Sequence, residues 1–540
     1  HSNALNMAHL TRFARGSVSN NSYSISQVKS TLNYESGYNQ YLGSLGSIVV
    51  SGIEYVQINV VGTAFDDVII EQHGTHYDGG LGTDVFYGDW SADTVGINWV
   101  NTGASFTHNG VTIKNMEGLL LSLGTGDDVI DNSAFNTKDE VNAGEGDNYL
   151  NMGNGGDIVT TGAGNDSITL LDGGDNVQAG DGNNTVTIAG GSSGVSTGSG
   201  DDVITIADNG NIIYTGGGND TIRVNGAVTG GNNNFYGGEG DDKLFMDIDA
   251  SASTQGGIYY RYGSNNYLSV SNNSYSISQV KSTLSSSGGY NQYLGSLGNI
   301  VVSGIEYVQI NVVGTAFDDV IIEQHGTHYD GGLGTDVFYG DWSADTVGIN
   351  WVNTGASFTH NGVTIKNMEG LLLSLGTGDD VIDNSAFNTK DEVNAGEGDN
   401  YLNMGNGGDI VTTGAGNDSI TLLDGGDNVQ AGDGNNTVTI AGGSSGVSTG
   451  SGDDVITIAD NGNIIYTGGG NDTIRVNGAV TGGNNNFYGG EGDDKLFMDI
   501  DASASTQGGI YYRYGSNNYL SVELLAKVLG YGMIGHSLYA

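Results

Sequence analysis

From Asp139 to Asp220 every ninth residue is small and oxygen-bearing: Asp139, Asn148, Asp157, Asp166, Asp175, Asn184, Ser193, Asp202, Asn211 and Asp220. Two places after each stands an aliphatic residue, from Val141, Leu150 and Val159 through to Ile222. The phase never slips. A helix would put positions nine apart on opposite faces, and its two or three glycines per unit would each cost roughly 1 kcal/mol against alanine. A Gly-rich turn of six residues followed by a three-residue strand, with the middle strand residue pointing inward, satisfies the pattern, and two such units make one flattened coil. The predicted fold is all-β, a parallel β-solenoid with the oxygens on turns and the aliphatics in a core.

The segments Gly79-Gly80-Leu81-Gly82-Thr83-Asp84-Val85-Phe86-Tyr87 and Gly237-Gly238-Glu239-Gly240-Asp241-Asp242-Lys243-Leu244-Phe245 match the nonapeptide G-G-x-G-x-D-x-U-x in full, where U is large and apolar. Looser copies begin at Leu123, Ala143, Met152, Thr161, Ala179, Thr197 and Thr215. In this the chain resembles the calcium-binding repeats-in-toxin (RTX) proteins, of the surface-layer or extracellular structural kind. The resemblance implies a parallel β-roll with several Ca²⁺ ions between its turns.

The residue chemistry agrees. Calcium takes about six to eight oxygens, which a Gly-rich turn supplies as unscreened backbone carbonyls while the sixth-position Asp adds charge. The candidate ligands in the first half of the chain are Asp67, Gly80, Gly82, Asp84, Gly124, Gly126, Asp128, Asp139, Asn148, Asp157, Gly164, Asp166, Asp175, Asn184, Gly200, Asp202, Gly218, Asp220, Gly238, Gly240 and Asp242. In the second half they are Asp319, Asp336, Asp380, Asp391, Asn400, Asp409, Asp418, Asp427, Asn436, Asp454, Asp472 and Asp494. Turns on one edge of the solenoid recur every eighteen residues, so one edge carries Asn148, Asp166, Asn184, Asp202 and Asp220. The other carries Asp139, Asp157, Asp175, Ser193 and Asn211. The first edge keeps its glycines and is expected to hold more ions; the second loses its carboxylates after Asp175. Against this stands ordinary turn chemistry, in which Asp and Asn stabilise turns and Asn ladders without any metal. Charge weighs toward the ion: 62 acidic against 15 basic residues give −47, and stacked carboxylates repel unless cations lie between them.

Residues 19–270 recur as 271–522 with five differences, Asn33/Ser285, Tyr34/Ser286, Glu35/Ser287, Ser36/Gly288 and Ser47/Asn299. The expected organisation is therefore a leader segment, 1–18, two near-identical tandem solenoid copies, and an apolar tail, 523–540. The stretches from Val50 to Ile69 and from Ile113 to Ile130 read as short strands feeding a carboxylate turn, and Asp93 to Phe106 also reads as strand. No long amphipathic helix is expected before the tail. The two copies meet at an aromatic-rich joint between Tyr259 and Tyr275.

The chain has neither Cys nor Pro, which removes disulfides and suits an uninterrupted ladder. No apolar run is long enough for a membrane span, and the acidity argues against nucleic acid as a partner. The resemblance further implies a secreted, extracellular, cell-surface protein exported by type I secretion, for which the tail is a candidate signal; a cap or a subunit connector fits it equally. Two G-x-S-x-G matches, Gly190–Gly194 and Gly194–Gly198, lie inside the nine-residue phase with no strand-to-helix elbow. His73, His76 and His108 form no H-E-x-x-H, so no catalytic site is expected. Two functions remain. One is a calcium-dependent rod that self-associates into a surface layer, filament or adhesin stalk; the other is a secreted protein that binds or modifies polysaccharide, with cell-surface polysaccharide as partner.

Overall fold

The computed structural model describes residues 23–34, 37–207, 209–264, 266–271, 273–459, 461–505, 512–514 and 518–520, so the expectations for segments 1–18 and 523–540 lie outside the described residues. The chain divides into two compact units, residues 1–339 with 359–368, and residues 340–358 with 369–540. It is an all-β protein, a parallel β-solenoid built from two near-identical copies.

In the first unit one sheet of parallel strands runs from Val68–Ile70 and Val85–Asp89 through Glu140–Gly144, Ile158–Thr161 and Asn176–Gly180 to Gly231–Glu239. The facing sheet runs from Asn98–Val100 and Val129–Asp131 through Tyr149–Asn151, Ser167–Leu170 and Thr185–Ile188 to Lys243–Asp249. Each strand is flanked by the strands one coil before and one coil after it. Val141 therefore pairs with Val159, Val159 with Val177, and on the other side Leu150 pairs with Ile168. These aliphatics are at most 2 % exposed, as the inward middle position requires, and each contributes about 1.5–3 kcal/mol of burial. The second unit repeats the arrangement from Gly370–Ser374 to Asn486–Tyr488 on one side and from Asn350–Val352 to Lys495–Ile500 on the other.

Two short helices were not foreseen, Ile25–Leu32 and Ile277–Leu284. Their signal was present in Ser-Ile-Ser-Gln: the Ser24 hydroxyl caps the Gln27 N–H at 3.2 Å, with Gln at the third helical position. Tyr23, Ile25 and Val28 then bury against Val85, Tyr87 and Leu120 of the solenoid. The Asp93 to Phe106 stretch is strand at Asn98–Val100, which lies beside Val129–Asp131, and at its end, where Phe106 opens strand Phe106–His108 against Val111–Lys114.

Coil length is not constant. Hydrogen bonds along the turns join residues 18 apart in the regular stretch, but 33 apart at Asp84–Glu117 and 22 apart at Asp220–Asp242. The extra residues after Asp84 include strands Phe106–His108 and Val111–Lys114, a hairpin that pairs with His76–Asp78, and in the coil after Asp220 the pairing shifts register between Arg223 and Ala227.

Candidate metal centre

Each turn ends on its sixth-position residue, whose side chain folds inward over the turn and accepts the backbone N–H of its counterpart one coil earlier. Asn148 N–H donates to Asp166 Oδ1 at 2.9 Å, Asp166 N–H to Asn184 Oδ1 at 3.0 Å, and Asn184 N–H to Asp202 Oδ1 at 2.7 Å. Asp202 N–H then donates to Asp220 Oδ1 at 2.8 Å and Asp220 N–H to Asp242 Oδ1 at 2.9 Å. The second edge carries the same ladder, Asp139 to Asp157 and Asp157 to Asp175, both at 2.7 Å. There Ser193 Oγ takes the Asp175 N–H and Asn211 Oδ1 takes the Ser193 N–H, without a carboxylate. The structure also places Asp67, Asp84, Asp157 and Asp175 on this edge, so its first half is as acid-rich as the edge expected to be the stronger.

The two kinds of ladder residue differ at their second atom. Asn184 Nδ2 donates to Gly182 O at 3.0 Å and to Gly180 O at 3.2 Å, and Asn148 Nδ2 donates to Gly146 O at 2.9 Å. An amide therefore satisfies the turn carbonyls unaided. In the Asp coils the corresponding atom is an oxygen: Oδ2 of Asp84, Asp128, Asp157, Asp166, Asp175, Asp202, Asp220 and Asp242 is buried with no hydrogen-bond partner. Nearby hydroxyls do not help, because Thr161 donates to Ala179 O and Thr197 to Thr215 O. A buried carboxylate oxygen with no hydrogen-bond donor, at the place where an Asn amide meets turn carbonyls, lacks a positive partner, and a cation supplies one.

The glycines make room for this stack. Gly182 and Gly200 have φ of +112° and +125°, and a Cβ on either would run into the carbonyl oxygen of the glycine one coil earlier, Gly164 or Gly182. Turns with side chains at these positions could not approach so closely.

Electrostatics reports the same deficit. Burial pushes the Asp84 carboxyl up to about 7, with Asp67 and Glu117 adding repulsion, and pushes Asp175 and Asp242 to about 6. Burial and the flanking Asp139 and Asp175 raise Asp157 further. Asp166, Asp202 and Asp220 are raised by burial as well.

Not every candidate ligand has an oxygen to spare. Asp139 accepts Leu119 N–H at 2.8 Å through Oδ1 and Asn132 Nδ2 at 2.7 Å through Oδ2; Asp391 repeats this with Leu371 and Asn384. Asp319 is filled by Ile258 N–H and by the Thr315 N–H and hydroxyl, and Asp67 Oδ2 accepts Thr63 N–H. In the second copy the orphaned Oδ2 recurs at Asp409, Asp418, Asp427, Asp454 and Asp472. Asn400 and Asn436 again donate to turn carbonyls, Gly398 and Gly434. Asp380 and Asp336 accept the Ile349 and Asp319 N–H groups, and Asp494 accepts that of Asp472.

Sequence reading missed two parts of the machinery. Glu117 and Glu306 continue the ladders where the coil lengthens, accepting the N–H of Asp84 at 2.8 Å and of Asp242 at 2.9 Å. Only the position of each glutamate before a strand would have pointed to it. On the edge of Asn148, Asp166 and Asp202 the residue before each ladder position builds a second, exposed ladder running the other way: Asp147 N–H to Asp127 Oδ1, Asn165 N–H to Asp147 Oδ1, Asp201 N–H to Asn183 Oδ1. Part of the acid count is thus turn chemistry, and the paired carboxylates Asp127-Asp128 and Asp201-Asp202 divide the two tasks. Among the described residues no three His, Cys, Asp or Glu side chains converge, so an ion here would take its oxygens from Asp166, Asp202, Asp220 or Asp242 together with turn carbonyls such as those of Gly164, Gly200, Gly218 and Gly240. Hard oxygen donors of this kind suit calcium.

Elsewhere, Ser192 sits on a turn and Ser196 within strand Gly194–Thr197. His108 Nε2 lies 2.6 Å from Asp93 Oδ2 and its ring packs on Trp90, while His73 stacks on Tyr55.

Comparison of the sequence with known families finds a match. The RTX calcium-binding nonapeptide repeat (4 copies) matches residues 76–95, 133–168, 153–186 and 228–246, and again 328–347, 385–420, 405–438 and 480–498. No curated protein matches the chain. The coils of Asp202 and Asp454 fall between the matched stretches yet carry the same ladder and the same orphaned oxygen. The chain thus carries RTX calcium-binding repeats in multiple copies, and these repeats bind Ca²⁺.

Proposed function

We propose that this RTX-repeat chain is an extracellular structural protein whose solenoid is folded and held by Ca²⁺, forming a surface layer, filament or adhesin stalk. The observation that carries the reading is the row of ladder turns in which Asp84, Asp157, Asp166, Asp175, Asp202, Asp220 and Asp242 each bury one carboxylate oxygen without a hydrogen-bond partner. At low calcium those oxygens and the carbonyls they face oppose folding; at the millimolar calcium of an extracellular medium the ion joins them, and binding becomes folding free energy. Such a chain can leave the cell unfolded and set outside it. In this reading it has no catalytic role, since the polar groups of the turns serve the ladder and the ion.

The test is surface labelling of intact source cells with a membrane-impermeant reagent, before and after chelation. Labelled protein that leaves the cells on calcium removal is the expected result. Protein that labels only after lysis would refute an extracellular role.

One observation favours polysaccharide contact as a second reading. Tyr214 and Tyr236 stack at 4.6 Å and 5° on the outer surface, and Tyr466 and Tyr488 repeat the pair at 4.5 Å and 4°. Flat, amphipathic aromatic platforms suit sugar rings. Loss of cosedimentation with insoluble polysaccharide in a Tyr214→Ala, Tyr466→Ala variant is the expected outcome, and unchanged binding would remove this reading.

A further inference from the structure

Within the first unit the end of copy one is continued by the start of copy two. Strand Gly231–Glu239 pairs in parallel with Gly298–Ser303, Phe235 opposite Val302, and Lys243–Asp249 pairs with Tyr307–Val313, Leu244 opposite Val308 and Ile248 opposite Val312. The joint buries Phe235, Leu244 and Ile248 from one side and Ile300, Val302 and Ile310 from the other. The turn ladder crosses it too, because Asp242 N–H donates to Glu306 Oε2.

Both halves of this joint occur a second time, and among the described residues neither has that neighbour. Residues 483–500 repeat 231–248 without a change, yet Leu496 is 43 % exposed and Ile500 61 %, against 0 % for Leu244 and 2 % for Ile248. Residues 46–61 repeat 298–313 with one change, Ser47 for Asn299, and there Ile48, Val49, Tyr55 and Val61 are exposed. Apolar strand edges of this kind are templates for pairing with another chain.

We propose that the occupant is a second copy of this chain. Strands Asn486–Tyr488 and Lys495–Ile500 of one molecule pair in parallel with residues 47–50 and 55–61 of the next, in the register of the internal joint. That register sets Phe487 opposite Val50, Leu496 opposite Val56 and Ile500 opposite Val60, and brings the Asp494 N–H to the Glu54 carboxylate. The proposal rests on the structural reading above and names the surfaces through which the protein assembles. The two surfaces differ, so the contact is heterologous and growth is not stopped by a two-fold axis.

Sedimentation velocity of the whole chain in millimolar Ca²⁺ tests this. Wild type should form species whose size rises with concentration. Leu496→Glu, which spoils one surface, and Ile48→Glu, which spoils the other, should each stay monomeric with an unchanged circular dichroism spectrum. Mixed together they should form a dimer and nothing larger, because each keeps the surface that the other has lost. The register has its own test, since the chain has no cysteine: Gln57→Cys and Phe497→Cys, the counterparts of the internal pair Gln309 and Phe245, should be joined between molecules by a short bismaleimide. A folded wild type that stays monomeric at the highest concentration, or assemblies indifferent to Leu496→Glu, would overturn the docking and leave calcium-driven folding standing. A chain without β structure in calcium would take both readings down.

Discussion

Exchanging Asp for Asn at one ladder position should turn a calcium-requiring coil into a calcium-independent one. Asp202 Oδ1 accepts the Asn184 N–H at 2.7 Å while Oδ2 is buried without a partner, and one coil earlier Asn184 makes the same ladder bond but donates its Nδ2 to Gly182 O and Gly180 O. In Asp202→Asn, made together with Asp454→Asn in the second copy, the ladder bond survives and an amide replaces the orphaned oxygen. One or two new hydrogen bonds per copy, at about 0.5–1.5 kcal/mol each, should stabilise the calcium-free protein by about 1–6 kcal/mol. In Asp202→Ala with Asp454→Ala the same coils lose the acceptor as well, and two buried N–H groups left unsatisfied cost about 1–3 kcal/mol each in either condition. Urea denaturation followed by far-ultraviolet circular dichroism, in EDTA and in saturating Ca²⁺, separates these outcomes, and equilibrium dialysis counts the ions. The Asn variant should be more stable than wild type in EDTA, gain less from calcium, and bind at least one ion fewer per copy. If it were no more stable than the Ala variant in EDTA, or kept the wild-type ion count, the assignment of orphaned Oδ2 atoms as ion ligands would be wrong.

The converse change, Asn184→Asp with Asn436→Asp, creates a new orphaned oxygen and should raise the calcium concentration needed for half-folding; an unchanged midpoint in a calcium titration would count against the argument. Gly200→Ala combines a φ of +125° with a Cβ that meets Gly182 O, so it should destabilise by about 2–4 kcal/mol in calcium, and a loss below 1 kcal/mol would mean that the turns are not tightly stacked. The pH response of the calcium-free protein has a definite sign. Burial holds Asp84 at about 7 and Asp175 at about 6, above the ordinary value of 3.8, so the folded state binds protons more tightly than the unfolded. This stability is complete below 3.8 and is lost as pH rises through the folded values, so in EDTA β structure should increase on going from pH 8 to pH 5. A steady loss of β signal over that window would contradict the burial of these carboxylates. In saturating calcium the sign reverses, because protons then compete with the ion for the same oxygens.

The nine-residue phase was enough to read the solenoid, the two edges and the inward aliphatics, because every coil meets the same demands from its nearest neighbours. Val159 is buried for the same reason as Val141 and Val177, and a local pattern repeated in phase reveals a local environment repeated in space. The ion ligands were legible as residue types, since calcium chemistry selects Asp and Gly. What the residue types could not reveal was which oxygen is already taken. Asp139 and Asp157 look alike in the chain, yet Asn132, seven residues from Asp139, closes the second oxygen of one and not the other.

The two copies make the division sharper still. Residues 307–313 form one seven-residue strand, whereas their counterparts 55–61, identical in sequence, are strand only at Val60–Val61. The difference is the neighbour: Tyr307–Val313 lies against Lys243–Asp249, whose N–H and C=O groups pair with its own and whose aliphatics cover Ile310 and Val312. A strand has no internal hydrogen bonds to hold it, so its amino acids decide only that it can be one. Whether it becomes one was decided by the coil beside it.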